Sequence, residues 1–361
     1  MQPDKAGFGR HVKPRFSRLS TALSCTCLLA ACSSSYEGPL ARHFDGSRFI
    51  NPGFTNDSSV TGYLWLRLTS AQATWPVSVP VAPEPPPPAR VDDGTARITF
   101  IGHATVLIQV AGLNILTDPI WSDRASPIKF AGPKRVQAPG VAFESLPTID
   151  LVLISHNHYD HLDLPTLRRL EARDRPRVIV PLGNRALVAG AMPGSRVSEH
   201  DWEVSLPLKQ GATLHVEPMV HGSGRSPLDQ QRSLWAAYVI QAAGLKIYYA
   251  GDTAYRSSAV FKATGDKHGG VDLAILPIGA YEPVSFMADS HVAPADAVKL
   301  MTDLRAKQGM AHHFEAFQLG FEAYEAPRQA LKAALKAAKL PEHSFVAPKL
   351  GQFLQLRTGT P

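Results

Sequence analysis

The run Ser155-His156-Asn157-His158-Tyr159-Asp160-His161-Leu162-Asp163 places three histidines and an aspartate within six residues. So many titratable groups cannot all be core residues. Imidazole with carboxylate is the donor set zinc takes at a catalytic site that keeps an open position. In an extended backbone His156 and His158 point the same way. Asp160 and His161 then fall on the turn that follows and can serve a second metal nearby. Further candidate ligands lie downstream: His221 in Met219-Val-His-Gly-Ser223, Asp252 in Ala250-Gly-Asp-Thr253, and the adjacent pair His312 and His313. Asp118, in Thr117-Asp-Pro119, reads as a turn former or as an acceptor that orients a ligand histidine. His103 is assigned no chemistry. His11, His43, His200, His215, His268 and His343 have no motif around them and read as surface or packing residues.

These side chains need strand ends to hold them. Residues 150–154 (Asp-Leu-Val-Leu-Ile) form an apolar strand leading into the histidine run, and a helix over 164–173 follows, opened by Asp163 and Pro165. Strands are expected at 97–101, 106–110, 113–117, 177–181, 213–217, 235–241, 246–250, 272–277 and 309–312, and helices at 294–307 and 325–340. Strands interspersed with helices indicate packed α/β layers. Residues 33–75 show no clear period. Residues 76–89 hold seven prolines, a polyproline II stretch that serves as a linker or as a strap over the domain. Trp65 and Trp75 upstream favour the strap, since both would otherwise be exposed.

The His-x-His-x-Asp-His pattern resembles that of the metallo-β-lactamase superfamily. Phe100-Ile-Gly-His-Ala-Thr-Val-Leu107, Thr117-Asp-Pro-Ile120, Arg124-Ala-Ser-Pro127, Gly132-Pro-Lys-Arg135, Gly251-Asp-Thr253, Pro277-Ile-Gly-Ala-Tyr-Glu-Pro283 and His291-Val292 are together similar to one branch, the N-acylphosphatidylethanolamine-hydrolysing phospholipase D family and its bacterial relatives. The likeness covers about residues 96–355 and implies a four-layered αβ/βα sandwich. It implies two zinc ions, one held by His156, His158 and His221, the other by Asp160, His161 and His313, with Asp252 bridging. The family ligand lies four residues before a phenylalanine, here Phe317, which selects His313 over His312. Asp118 is then an acceptor behind a ligand histidine. His291 matches a family histidine near the metals, and Tyr281 and Glu282 share a loop facing the same cavity. Three departures stand out. Gly222 replaces a frequent tryptophan, Glu315 adds a carboxylate where glycine is common, and residues 33–95 do not match the animal enzyme.

The resemblance implies a binuclear zinc-dependent hydrolase of phospholipase D type, cleaving N-acylphosphatidylethanolamine or a related phospholipid. A metal pair about 3.5–4 Å apart brings a water to its hydroxide form near neutral pH for in-line attack at phosphorus. Asp160 would orient the nucleophile and His291 assist the leaving group. Manganese and iron are compatible with the same donors. Hydrolysis of a lactone, β-lactam or soluble phosphoester is the alternative chemistry, and a non-catalytic metal-binding outer-membrane lipoprotein the alternative class.

Composition and the N-terminus set the context. Lys+Arg number 37 and Asp+Glu 31 in 361 residues, but residues 1–31 hold five of the bases and one acid. The near balance that remains gives no reason to expect nucleic-acid binding. Hydrophobic content of 44% and charged content of 19% fit a globular chain, and no apolar run reaches the length of a spanning helix. Residues 1–31 read as a lipoprotein signal peptide: Arg10 to Arg18 are basic, Leu19 to Ala31 apolar, and Leu29-Ala30-Ala31-Cys32 resembles a lipobox. Cys32 would carry the acyl chains. Ser33 then implies the outer membrane, with the protein anchored in the cell envelope facing the periplasm. Residues 32–95 form an extension and proline-rich linker before the hydrolase domain at 96–355. All three cysteines lie in the first 32 residues, so a disulfide framework is excluded. Association into oligomers is compatible with the sequence.

Overall fold

The computed structural model describes residues 35–53 and 60–358. The expected signal peptide, residues 1–31, and the expected lipidation site Cys32 lie outside the described residues. The chain forms helix α1 (Val60–Thr69), then strands β1 (Thr95–Gly102), β2 (Thr105–Val110), β3 (Leu113–Thr117) and β4 (Leu151–Leu153). Helix α2 (Leu164–Asp174), β5 (Arg177–Pro181), α3 (Arg185–Ala191) and β6 (Val197–His200) complete the first half. The second half comprises β7 (Ser205–Pro207), β8 (Thr213–Glu217), β9 (Ala237–Ala242), β10 (Leu245–Tyr249), α4 (Ser258–His268) and β11 (Val271–Pro277). It continues with α5 (Val284–Met287), α6 (Pro294–Asp303), β12 (Ala306–His312), α7 (Ala326–Ala337), β13 (Phe345–Val346) and β14 (Phe353–Arg357).

Two seven-stranded sheets result, in the orders β14-β1-β2-β3-β4-β5-β6 and β13-β12-β11-β10-β9-β8-β7. Each is antiparallel over three adjacent pairs and parallel over the other three. Side-chain alternation sorts the first sheet into two apolar clusters. Val106, Ile108, Leu151, Leu153 and Ile179 join the central core with Leu214, Val216 and Ile240 of the second sheet. Leu107, Val152, Ile154, Val178 and Val180 face the other way, against Leu167 and Leu170 of α2 and Val188 of α3. On the second sheet, Ala297, Leu300 and Met301 of α6 and Phe261 of α4 supply the outer cover. Helix–sheet–sheet–helix layering follows, a four-layered α/β sandwich.

Where sequence expectation and structure differ, backbone geometry explains it. The helix expected over 294–307 stops at Asp303, because Arg305 adopts a left-handed φ of 50° and the chain re-enters the sheet beside Val271. The proline-rich segment lies on the domain as a strap. Val79 N–H donates to the Val136 carbonyl at 2.8 Å, Gln109 Nε2 reaches Pro88 O at 2.8 Å, and Asn114 Nδ2 reaches Ala89 O at 3.0 Å. Trp75 is half-buried with its indole N–H on Glu322 O, whereas Trp65 stays exposed. Phe44 and Phe49, upstream of the strap, are buried in the central core. No helix among the described residues is long and apolar enough to cross a membrane.

Candidate metal centre

Strand direction gathers the site. β1, β3 and β4 run the same way in one sheet, as do β8, β10, β11 and β12 in the other. The segments leaving their C-terminal ends carry His103, Asp118, His156 to His161, His221, Asp252, His291 and His313 in turn. His103, Asp118 and His313 take left-handed φ values of 55°, 34° and 59°, which turn the chain sharply at each strand end. Strained backbone of this kind concentrates at functional sites.

The side chains converge in two groups. His158 Nδ1 lies 2.9 Å from His156 Nε2 and 3.3 Å from His221 Nε2. Asp160 Oδ2 lies 3.3 Å from His161 Nε2 and 3.2 Å from His313 Nε2. Asp252 sits between them: its Oδ2 is 3.2 Å from His161 Nε2, 3.0 Å from His313 Nε2 and 4.0 Å from His221 Nε2. His291 stands at the rim, its Nδ1 3.6 Å from Asp252 Oδ2. His313 therefore faces the group. His312, the last residue of β12, turns its ring toward Tyr249, with centroids 5.2 Å apart.

The outward nitrogens of three histidines are spoken for. His161 Nδ1 lies 2.7 Å from Asp118 Oδ2, and His221 Nδ1 lies 2.8 Å from the Ser290 carbonyl. His156 Nδ1 lies 2.9 Å from Ser155 Oγ, whose hydroxyl donates onward to Asp118 Oδ2. In each case an outward N–H leaves the Nε2 lone pair aimed inward, the tautomer a metal requires. Asp118 thus governs one histidine directly and another through Ser155. Tyr249 OH, 2.7 Å from Asp118 Oδ2, and the Ser155 N–H, 2.7 Å from Oδ1, fix the carboxylate itself.

The electrostatics fit a cation. Burial and the neighbouring histidines hold His156 well below its ordinary value, and burial does the same to His221. Burial would also depress His161 and His313, but Asp252 and Asp160 outweigh it, pulling His161 well up and His313 up to about 9. The two carboxylates thus draw protons onto the very nitrogens that face them. A divalent cation supplies the same charge and releases those protons. Asp252 Oδ1, fully buried, finds no hydrogen-bond partner among the described residues, as expected for an atom shaped to ligate. The donor set accommodates metal.

Several functional contacts were not legible in the sequence. His103 Nε2 lies 2.9 Å from Asp160 Oδ2, and its carbonyl accepts the His313 N–H at 2.8 Å, so it holds two ligands of the same group. His103→Asn suits the left-handed backbone. It is expected to weaken the cation at Asp160, His161 and His313 by about 10–100-fold, leaving the His156 group unchanged, as read by metal titration. Asn51, in the unmatched extension, donates from Nδ2 to the His221 carbonyl at 2.7 Å. Arg225 Nη1 donates to the carbonyls of Asn157 and Leu162 at 2.8 and 2.9 Å and stacks 3.8 Å over Tyr159, clamping the histidine run. Glu315 turns to Arg328 at 2.6 and 3.0 Å and so does not add free negative charge to the centre. Tyr281 is buried, and the Glu282 backbone N–H is held by Glu322 at 3.2 Å. A Cβ at Gly222 would meet nothing within 4 Å, so the missing tryptophan leaves open space.

A family model for the beta-lactamase superfamily domain matches residues 113–314. The chain is 37% identical over 264 residues to the N-acyl-phosphatidylethanolamine-hydrolyzing phospholipase D 1 of Caenorhabditis elegans, covering 70% of this chain and 74% of the relative. It is 32% identical over 258 residues to the mitochondrial N-acyl-phosphatidylethanolamine-hydrolyzing phospholipase D of Saccharomyces cerevisiae, covering 70% of this chain and 54% of that one. The fold is also that of a possible metal-dependent hydrolase from Veillonella parvula, with a TM-score of 0.58, 19% identity, and coverage of 73% of this chain and 100% of the other. With the strand-end histidines and carboxylates in place, the chain belongs to the metallo-β-lactamase superfamily as a metal-dependent hydrolase, and N-acyl-phosphatidylethanolamine-hydrolysing phospholipases D are among its homologues.

Proposed function

We propose that the protein hydrolyses the phosphodiester of N-acylphosphatidylethanolamine or a closely related phospholipid, releasing phosphatidic acid, and that it does so with two zinc ions. His156, His158 and His221 would hold one ion, Asp160, His161 and His313 the other, and Asp252 would touch both. The observation that carries this reading is Asp252 Oδ2, placed within 3.2 Å of His161 Nε2 and 4.0 Å of His221 Nε2, one donor from each group. Bound there, zinc would supply Lewis acidity toward the phosphoryl oxygens and acidify a water toward neutrality. Asp118 keeps His161 and, through Ser155, His156 in the tautomer that binds. Asp160, with its Oδ2 held by His103, is positioned to orient the attacking water. His291 is half-buried at the rim, placed to offer a ring nitrogen to the departing oxygen. The space beside Gly222 suits a bulky substrate, and a lipid anchor on Cys32 at the outer membrane would keep the enzyme beside its lipid.

The test is phosphatidic acid release from N-acylphosphatidylethanolamine by zinc-loaded protein. Release is expected, with a fall of about 10²–10⁴-fold in His291→Ala, the usual worth of a general acid. Protein confirmed to hold two zinc ions yet releasing no phosphatidic acid would overturn the substrate and direct the search to lactones and soluble phosphodiesters.

A further inference from the structure

We propose that His215, Glu217 and His268 form a third divalent-cation site, apart from the hydrolytic centre, that ties the end of α4 to β8. The sequence marks none of the three. His215 and Glu217 are alternate residues of β8 and share a face, and His268 is the last residue of α4. One donor atom from each lies within 4.8 Å of the other two. Glu217 and His268 are buried, and the two imidazole rings stand 4.8 Å apart at 64°.

Three observations make this more than a salt bridge. First, Glu217 Oε1 already has two partners, His268 Nε2 and Lys267 Nζ, each at 2.8 Å. An ion pair would be complete with these, yet His215 brings a third donor to the same place. Second, His215 Nδ1 lies 2.7 Å from Ser205 Oγ, across the β7–β8 pair, while its buried Nε2 makes no close hydrogen bond, the Gln241 side chain being a weaker partner of the ring. When the ring donates from Nδ1 to the serine oxygen, its Nε2 lone pair is left for a cation. Third, the positive charge now beside Glu217 is replaceable. The Lys267 side chain is 38% exposed and can swing into water when a cation takes its place. Glu217 and Lys267 also line a cavity of about 910 Å³, into which the displaced lysine can move. Two imidazoles and one carboxylate select zinc, cobalt, nickel or copper over magnesium and calcium.

The experiment is equilibrium dialysis of the whole protein against buffered free zinc, with metal counted per chain. The wild type should hold one zinc more than His268→Ala. Lys267→Ala should keep the wild-type count and bind the extra zinc about tenfold tighter, since a competing positive charge beside the ligands is removed. Equal counts in wild type and folded His268→Ala would overturn the site. Should His268→Ala fail to fold, His215→Phe at a half-buried position supplies the same comparison. An unchanged zinc affinity in Lys267→Ala would overturn the proposal on its own.

Discussion

Asp252→Ala is expected to empty both halves of the hydrolytic centre together and lower hydrolysis by at least about 10³-fold, the upper range for losing one transition-state donor. The position of one oxygen gives the reason. Asp252 Oδ2 is within 3.2 Å of His161 Nε2 and within 3.0 Å of His313 Nε2, and it also faces His221 and His291 at 4.0 and 3.6 Å. Every other ligand belongs to one group. Removing Asp252 takes one of two carboxylates from the centre, leaving six donors, five of them neutral imidazoles, for the two proposed dications. Asp252→Asn keeps the shape and loses the charge, so it separates the two contributions. It should fall nearly as far as alanine if charge dominates. The measurement is metal content per chain beside the hydrolytic rate. An Asp252→Ala protein that keeps its full metal content and a rate within tenfold of wild type would remove Asp252 from the bridging role.

The sequence made the arrangement legible unevenly, and the reason is physical. Strands buried on both faces, such as 113–117 and 177–181, have the ends the residues imply, because that burial leaves little freedom of register. Strands β6, β7, β13 and β14 were not foreseen. They are the four edge strands, short and partly exposed, and their pairing comes from the neighbour across the ladder. The same division runs through the site. The clustered histidines announce themselves by type and spacing. His103 and Asn51 act on candidate ligands 57 and 170 residues away, and Arg225 grips the backbone of the histidine run from 68 residues away, so only the folded chain reveals them. His215 and His268 read as surface or packing residues for the same cause: Glu217, which groups with them in the fold, carries no local pattern that points to either.

Asp118, which the sequence marks only as an acceptor behind one histidine, carries the second large expected effect. Asp118 receives His161 Nδ1, Ser155 Oγ and Tyr249 OH on one oxygen and the Ser155 N–H on the other. It touches no inward-facing nitrogen itself, yet it fixes the tautomers of ligands in both groups. Asp118→Ala should therefore weaken both cations, by about 10–100-fold each. It should also destabilise the fold by about 1–3 kcal/mol for each buried donor left without an acceptor. Asp118→Asn is expected to be nearly as damaging despite its matching shape. An amide N–H facing His161 Nδ1 would force the proton to Nε2, where the metal must bind, as a misplaced tautomer disables a catalytic histidine. Ser155→Ala cuts only the relay to His156, so its loss should be confined to the cation held by His156, His158 and His221. Tyr249→Phe touches neither histidine and should leave both metal affinities near wild type while lowering thermal stability. Stepwise metal titration of the four variants reads this order directly. Equal weakening of both sites by Ser155→Ala would show that Asp118 does not reach the two histidines by separate routes, because a serine bonded to His156 alone has no means of acting on His161.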